Sequence, residues 1–215
     1  MTDLRQHVID TCLALEKRGL NQGTSGNVSV RDGQAAFFLT PSGLPYAGMQ
    51  PADLVRVDIT TGVCTGERKP SSELPFHLAI HRARPDAVAI VHTHSENATA
   101  VACLRRDLPA VHYLVGLFGG PEIRCAPYAT FGTEELSTHV LTALQQRRAA
   151  LMANHGLVVI GSNLDQALAL TAEAETLARL YLKALAAGEP HLLPPDEMAR
   201  VIERFKAFGY GPVAY

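Results

Sequence analysis

The chain opens with Leu4, Val8, Ile9, Cys12, Leu13 and Leu15 at helical spacing, stopped by Gly19. This predicts an amphipathic helix over 3–18. Small and polar residues then lead into Val28 and Val30, whose alternation predicts a strand. Apolar stretches at 35–40 (AAFFLT) and 54–59 (LVRVDI) predict two more strands, the second followed by a polar hairpin over 60–70. Residues 71–85 read as a helix with Ser71 or Ser72 as N-cap and Pro85 as stop. A central strand is predicted over 87–94 and a helix over 95–106. Short extended pieces follow at 110–115 and 122–128, then a helix over 133–147 capped by Thr133. Two strands around a turn fill 149–161. A long helix covers 163–185, and another covers 195–208.

Strands come in clusters between helices, not in strict alternation. That pattern predicts an α/β single-domain sandwich over 1–215, with a largely antiparallel central β-sheet flanked by helices. The chain has 215 residues, 47% of them hydrophobic and 19% charged, which suits one globular domain. The net charge of -2 gives no electrostatic reason to expect nucleic acid or an anionic membrane as partner. No apolar run is long enough to span a bilayer, and the N-terminus is polar and helical in pattern rather than a signal peptide. A soluble, cytoplasmic protein is expected. The four cysteines are scattered without a C-x-x-C pair, so free and mostly buried thiols are expected. Histidine is the unusual count, at nine residues in a chain without tryptophan.

The candidate chemistry starts at "IVHTHS", residues 90–95. Side chains at i and i+2 of a strand share a face, so His92 and His94 can reach one metal ion. "ANHGL" sets His155 in a turn, with Gly156 allowing close backbone approach. Glu73 lies in the first turn of the predicted helix. Three imidazoles and a carboxylate suit Zn²⁺, with the carboxylate replaceable by substrate. Other readings stand beside this one. His77 and His81, at i and i+4, read as an ordinary helix face. His112 reads as a core histidine, and Glu73 alone as a helix-start carboxylate. Three loops rich in glycine and hydroxyls, at 23–27 (GTSGN), 40–43 (TPSG) and 71–72 (SS), are each a turn or a cap on their own. Together they suggest a phosphate pocket without lysine or arginine, beside the metal and about the size of a sugar phosphate.

"GLNQGTSGNVSVR", "LTPSGLPY", "KPSSELPFH", "VHTH", "CAPYATFGT" and "NHGL" occur in that order. Together they closely resemble the class II aldolase/adducin family, and within it the fuculose-phosphate aldolase type. The resemblance implies zinc-dependent retro-aldol cleavage of a ketose 1-phosphate to dihydroxyacetone phosphate and an aldehyde, with Mn²⁺ or Co²⁺ as substitutes for Zn²⁺. It implies His92, His94 and His155 as metal ligands, and Glu73 as a fourth ligand that becomes the acid/base. Gly26, Asn27, Ser42, Gly43, Ser71 and Ser72 match the phosphate contacts. Tyr113 matches a catalytic tyrosine offered to a neighbouring subunit of a homotetramer whose sites lie between subunits. Phe131 and Phe208 match positions that close over the substrate; at Phe208 either the closing hydroxyl is lost or Tyr210 supplies it from a shifted tail.

Two departures bear on the substrate. Phe208 stands where the family carries a tyrosine, with Tyr210 two residues later, and "LVGLFGG" after Tyr113 is bulkier than expected. Both imply an apolar distal pocket and an aldehyde less hydroxylated than lactaldehyde, such as the product of a 5-deoxy- or 5-methylthio-pentulose 1-phosphate. The rivals are a same-fold epimerase, dehydratase or decarboxylase, a non-catalytic adducin-like interaction domain, and a structural zinc site. Retention of all three histidines and Glu73 argues against the interaction domain. The absence of cysteine from the proposed ligands argues against structural zinc.

Overall fold

One eight-stranded sheet organises the computed structural model, which describes residues 3–209. Its strands are β1 (Asn27–Asp32), β2 (Ala36–Leu39), β3 (Val55–Asp58), β4 (Cys64–Thr65), β5 (Ala89–Thr93), β6 (Arg124–Ala126), β7 (Ala149–Met152) and β8 (Gly156–Gly161). They lie in the order β4-β3-β2-β1-β5-β8-β7-β6, and every neighbouring pair is antiparallel except β6 with β7. The helices are α1 (Leu4–Lys17), α2 (Leu74–Ala83), α3 (Glu96–Cys103), α4 (Glu134–Ala143), α5 (Leu164–Ala187) and α6 (Pro195–Ala207). The predicted α/β sandwich with a mostly antiparallel sheet is the observed architecture.

The central strands β5 and β8 are buried throughout, which is why they read as apolar runs. Their side chains alternate between two layers. Ala89 and Val91 pack with Val8 and Cys12 of α1 and Leu164 of α5. Ile90 packs on the opposite face with Phe76 and Ile80 of α2 and Val140 of α4. His92 shares the Ile90 face by the same period of two, and its ring meets Phe76 edge-on at 5.5 Å. The register sets Asn27 of β1 opposite His92 on one side and Val158 of β8 on the other. Residues that carry chemistry therefore collect at one end of the sheet, where β5 runs out and the β7–β8 turn returns.

Several expectations need correction. α2 starts at Leu74, so Glu73 is the N-cap and neither Ser71 nor Ser72 is. The backbone of Ser71 is tied to Thr40 (N–H to carbonyl, 3.2 Å), which holds 70–71 extended against 40–41. The stretch read as extended at 110–115 enters a 3-10 helix, Tyr113–Phe118. His112 is half-buried and caps that helix through Nδ1, which accepts from the Leu114 N–H at 3.3 Å, so it is not a core histidine. His77 and His81 are 0% and 1% exposed. The helix face they form is turned inward, because α2 packs onto Ser29 and Phe37 of the sheet. All four cysteines are free, but Cys64 and Cys103 are exposed, Cys125 is half-buried and only Cys12 is buried. Among the described residues no helix is long and apolar enough to cross a membrane.

Candidate metal centre

His92 is the last-but-one residue of β5, and His94 follows one residue past the strand. His155 sits in the turn between β7 and β8, which doubles back beside them. One ring nitrogen from each of the three lies within 4.8 Å of the others. Glu73, at the N-cap of α2, brings its carboxylate into the same cluster. His92 Nε2 is 2.9 Å from Oε2, and His155 Nε2 is 3.0 Å from Oε1. His94 Nε2 is 3.0 Å from His92 Nε2. Gly156 permits this approach. A Cβ there would lie 2.5 Å from the carbonyl of Thr93 and 3.0 Å from the His94 ring.

His92 Nδ1 is 2.9 Å from the carbonyl of Leu157 and donates to it. Nε2 then faces a carboxylate oxygen and a second imidazole nitrogen. Three groups that carry lone pairs cannot converge without a cation between them, a proton or a metal. Glu73 and His92 are buried and His94 and His155 half-buried; the set holds three nitrogens and one oxygen and contains no thiolate, so it fits a divalent metal. Burial raises the Glu73 carboxyl, but the charges of His92 and His155 and their hydrogen bonds outweigh it and hold Glu73 well below the usual carboxylate range. Burial, reinforced by His92 and His155, lowers His94 to about 4.

A cavity of about 320 Å³ opens beside the cluster. Gly26, Asn27, Ser42, Gly43, Ser71, Ser72 and Glu73 line it together with His94 and His155. All six residues singled out for phosphate thus meet one pocket, and among the described residues its lining holds neither lysine nor arginine. Gly43 has φ +68, a conformation that glycine adopts without strain. Gly26 is required for packing, since a Cβ there would lie 2.6 Å from Asn21 Oδ1.

The residues expected to close the site divide. Phe131 lines the cavity and is 63% exposed. Tyr113 does not line it. It is 49% exposed and stacks on Phe205 of α6, with ring centroids 6.1 Å apart. Phe208 lies at the end of α6, away from the lining, and Tyr210 lies outside the described residues. "LVGLFGG" does not line this cavity. Val115 and Phe118 are core residues, and Gly116 lies against Val201, Ile202 and Phe205 of α6.

Sequence reasoning missed Tyr128 and Asn154, which complete the rim, and left Thr24 and Ser25 as loop residues. Asn154 has φ +53 and accepts at 2.7 Å from Arg105 Nε, fixing the turn ahead of His155. An asparagine between two predicted strands was the available signal, since asparagine tolerates the left-handed region.

Fold and site together define a class: an α/β sandwich that gathers three imidazoles and a carboxylate at the end of its central strands, next to a hydroxyl-lined pocket. Residues 6–182 match the family model described as the class II aldolase and adducin N-terminal domain. The chain belongs to that family, whose aldolases are metal-dependent. It is 48% identical over 207 residues to the L-fuculose phosphate aldolase of Escherichia coli, covering 96% of this chain and 95% of that one. It is also 48% identical over 206 residues to the 5-methylthioribulose-1-phosphate/5-deoxyribulose-1-phosphate aldolase of Rhodospirillum rubrum, covering 96% and 92%. A solved structure of an L-fuculose 1-phosphate aldolase superposes with a TM-score of 0.92 at 40% identity, covering 96% of this chain and 97% of that one.

Proposed function

We propose that this protein cleaves a ketose 1-phosphate by a retro-aldol step, giving dihydroxyacetone phosphate and an aldehyde. The observation that carries the reading is the position of Glu73. Its carboxylate touches the imidazole cluster and lines the hydroxyl-rich pocket at once. His92, His94 and His155 would hold the metal, with Glu73 as the displaceable fourth ligand. Three nitrogens and one oxygen favour Zn²⁺, with Mn²⁺ or Co²⁺ as substitutes. When bound, the metal supplies a positive charge against the oxygens on which negative charge develops.

The chain's own residues do the rest. Asn27, Ser42, Ser71 and Ser72, with the backbone at Gly26 and Gly43, bind the phosphate through neutral donors and fix the sugar's register. In the condensing direction Glu73 takes a proton from the hydroxymethyl carbon of dihydroxyacetone phosphate. Tyr113 then gives its phenol proton to the aldehyde oxygen as the carbon–carbon bond forms; cleavage runs the same transfers backwards. Tyr113 stands exposed and outside its own chain's pocket, which supports its delivery to the site of a neighbouring copy in a homotetramer. Residues 1–215 act as one domain. A sugar-phosphate substrate and four free thiols suit the cytoplasm.

The aromatic side chains of Tyr128 and Phe131 in the pocket lining favour an apolar aldehyde half. L-fuculose 1-phosphate, 5-deoxyribulose 1-phosphate and 5-methylthioribulose 1-phosphate form the test panel, with release of dihydroxyacetone phosphate measured by a coupled assay. The deoxy and methylthio substrates are expected to give the higher kcat/KM. Efficient cleavage of fuculose 1-phosphate alone would overturn the apolar assignment. Consumption of every substrate without triose phosphate would replace the aldolase by an epimerase or a dehydratase.

A further inference from the structure

His77 and His81 have no part in the chemistry above, yet one unbroken chain of hydrogen bonds joins them to it. Asn27 Nδ2 donates to Glu73 Oε2 at 3.3 Å, and Asn27 Oδ1 lies 2.5 Å from His77 Nε2. His77 Nδ1 lies 2.8 Å from Ser29 Oγ, which lies 2.9 Å from His81 Nε2. Every member is buried, with Ser29 and His77 at 0% exposure.

The functional end sets the direction of this chain. The Glu73 carboxylate only accepts, so Asn27 must turn its NH₂ toward it and its oxygen away. That oxygen needs a donor, so His77 must carry its proton on Nε2. A neutral His77 then has its lone pair on Nδ1 and accepts from the Ser29 hydroxyl. Ser29 Oγ in turn accepts from His81 Nε2–H. With the Asn27 amide reversed, a carbonyl would face a carboxylate. Burying a serine and two histidines costs free energy that an apolar trio of equal volume would not. What the polar trio adds is direction: a single orientation of the Asn27 amide.

We propose that His77, held in one tautomer by Ser29 and His81, is a positioning residue that aims Glu73 through the amide of Asn27. This rests on the reading of Glu73 as the working carboxylate. Two substitutions separate hydrogen bonding from volume. In His77→Gln the terminal NH₂ reaches where Nε2 was and can still donate to Asn27. In His77→Asn the shorter amide reaches only where Nδ1 was, and the donor to Asn27 is lost.

The experiment measures Zn²⁺ affinity by competition with a chromogenic chelator, and kcat and KM on the best substrate of the panel. Thermal melts check that each variant folds. His77→Gln is expected to stay within about threefold of the parent in affinity and kcat. His77→Asn is expected to lose about 10-fold or more, as loss of a partner behind a metal ligand typically does. Equal behaviour of the two variants, whether intact or impaired, overturns the proposal. If His77→Asn fails to fold, Ser29→Ala decides: loss of affinity supports the chain, and an unchanged affinity overturns it. Glu73→Gln is measured alongside. If it changes neither affinity nor rate, the reading of Glu73 fails and the proposal with it. If it lowers them while His77→Asn does not, only the positioning role fails.

Discussion

His92 faces Glu73 with Nε2 at 2.9 Å while its other nitrogen is held by the carbonyl of Leu157. One imidazole thus links the sheet to the first residue ahead of α2. The backbone bond fixes the ring, and the fixed ring presents a lone pair where a cation must sit. Substituting Glu73 tests the chemistry more than the fold. Glu73→Gln keeps the volume and removes the base, and is expected to lower kcat on the order of 10²–10³-fold. Thermal melting should show the variant folded. A loss below about tenfold would remove Glu73 from proton transfer.

A second expectation concerns the assembly. If Tyr113 serves a neighbouring copy, Tyr113→Phe and Glu73→Gln, each impaired alone, should complement when mixed after reversible dissociation. Random hybrids contain sites with both native residues, so recovery of about a quarter of the parent rate is expected. Tyr113 acting within its own chain would give no recovery above the separate variants.

Gly156 makes a structural prediction. The Cβ of Gly156→Ala would meet the carbonyl of Thr93 at 2.5 Å and the His94 ring at 3.0 Å. The carbonyl belongs to a central strand and cannot retreat cheaply. A destabilisation of about 1–3 kcal/mol is expected in urea melts, with weakened metal binding. Ala at Gly19, where nothing lies within 4 Å but φ is +66, should leave metal binding intact.

Acid should weaken the fold through His81. Burial first, and then the neighbouring Arg31 guanidinium, lower its pKa from 6.5 to about 3. The folded state therefore keeps His81 neutral while the unfolded chain takes up a proton below 6.5. The unfolded state binds more protons in that window, so stability falls as pH drops from 6.5 towards 3 and is fully present above 6.5. In metal-free protein the urea midpoint should fall over that range. His81→Gln should flatten the slope by about one proton's worth. An unchanged slope would contradict a neutral buried His81.

Much of this was legible in the chain. The period of two along "IVHTHS" put both imidazoles on one side, and "ANHGL" gave the turn that returns the third. The antiparallel sheet followed from strands bunched between helices. What escaped was set by tertiary partners. The start of α2 moved past Ser71 because a strand-like bond to Thr40 holds that residue extended. His77 and His81 read only as an ordinary helix face because an i, i+4 pair on a helix carries no mark of what it faces. Only the sheet shows that they face Ser29 and Phe37. The packing of Gly116 in "LVGLFGG" against α6 was not legible for the same reason: its partner lies about eighty residues further along the chain.

The most direct test of the central claim is release of dihydroxyacetone phosphate from a ketose 1-phosphate, before and after treatment with a chelator and after adding back Zn²⁺. The account predicts triose phosphate formation that is abolished by the chelator and restored by the metal. Cleavage that persists in fully demetallated protein would contradict it.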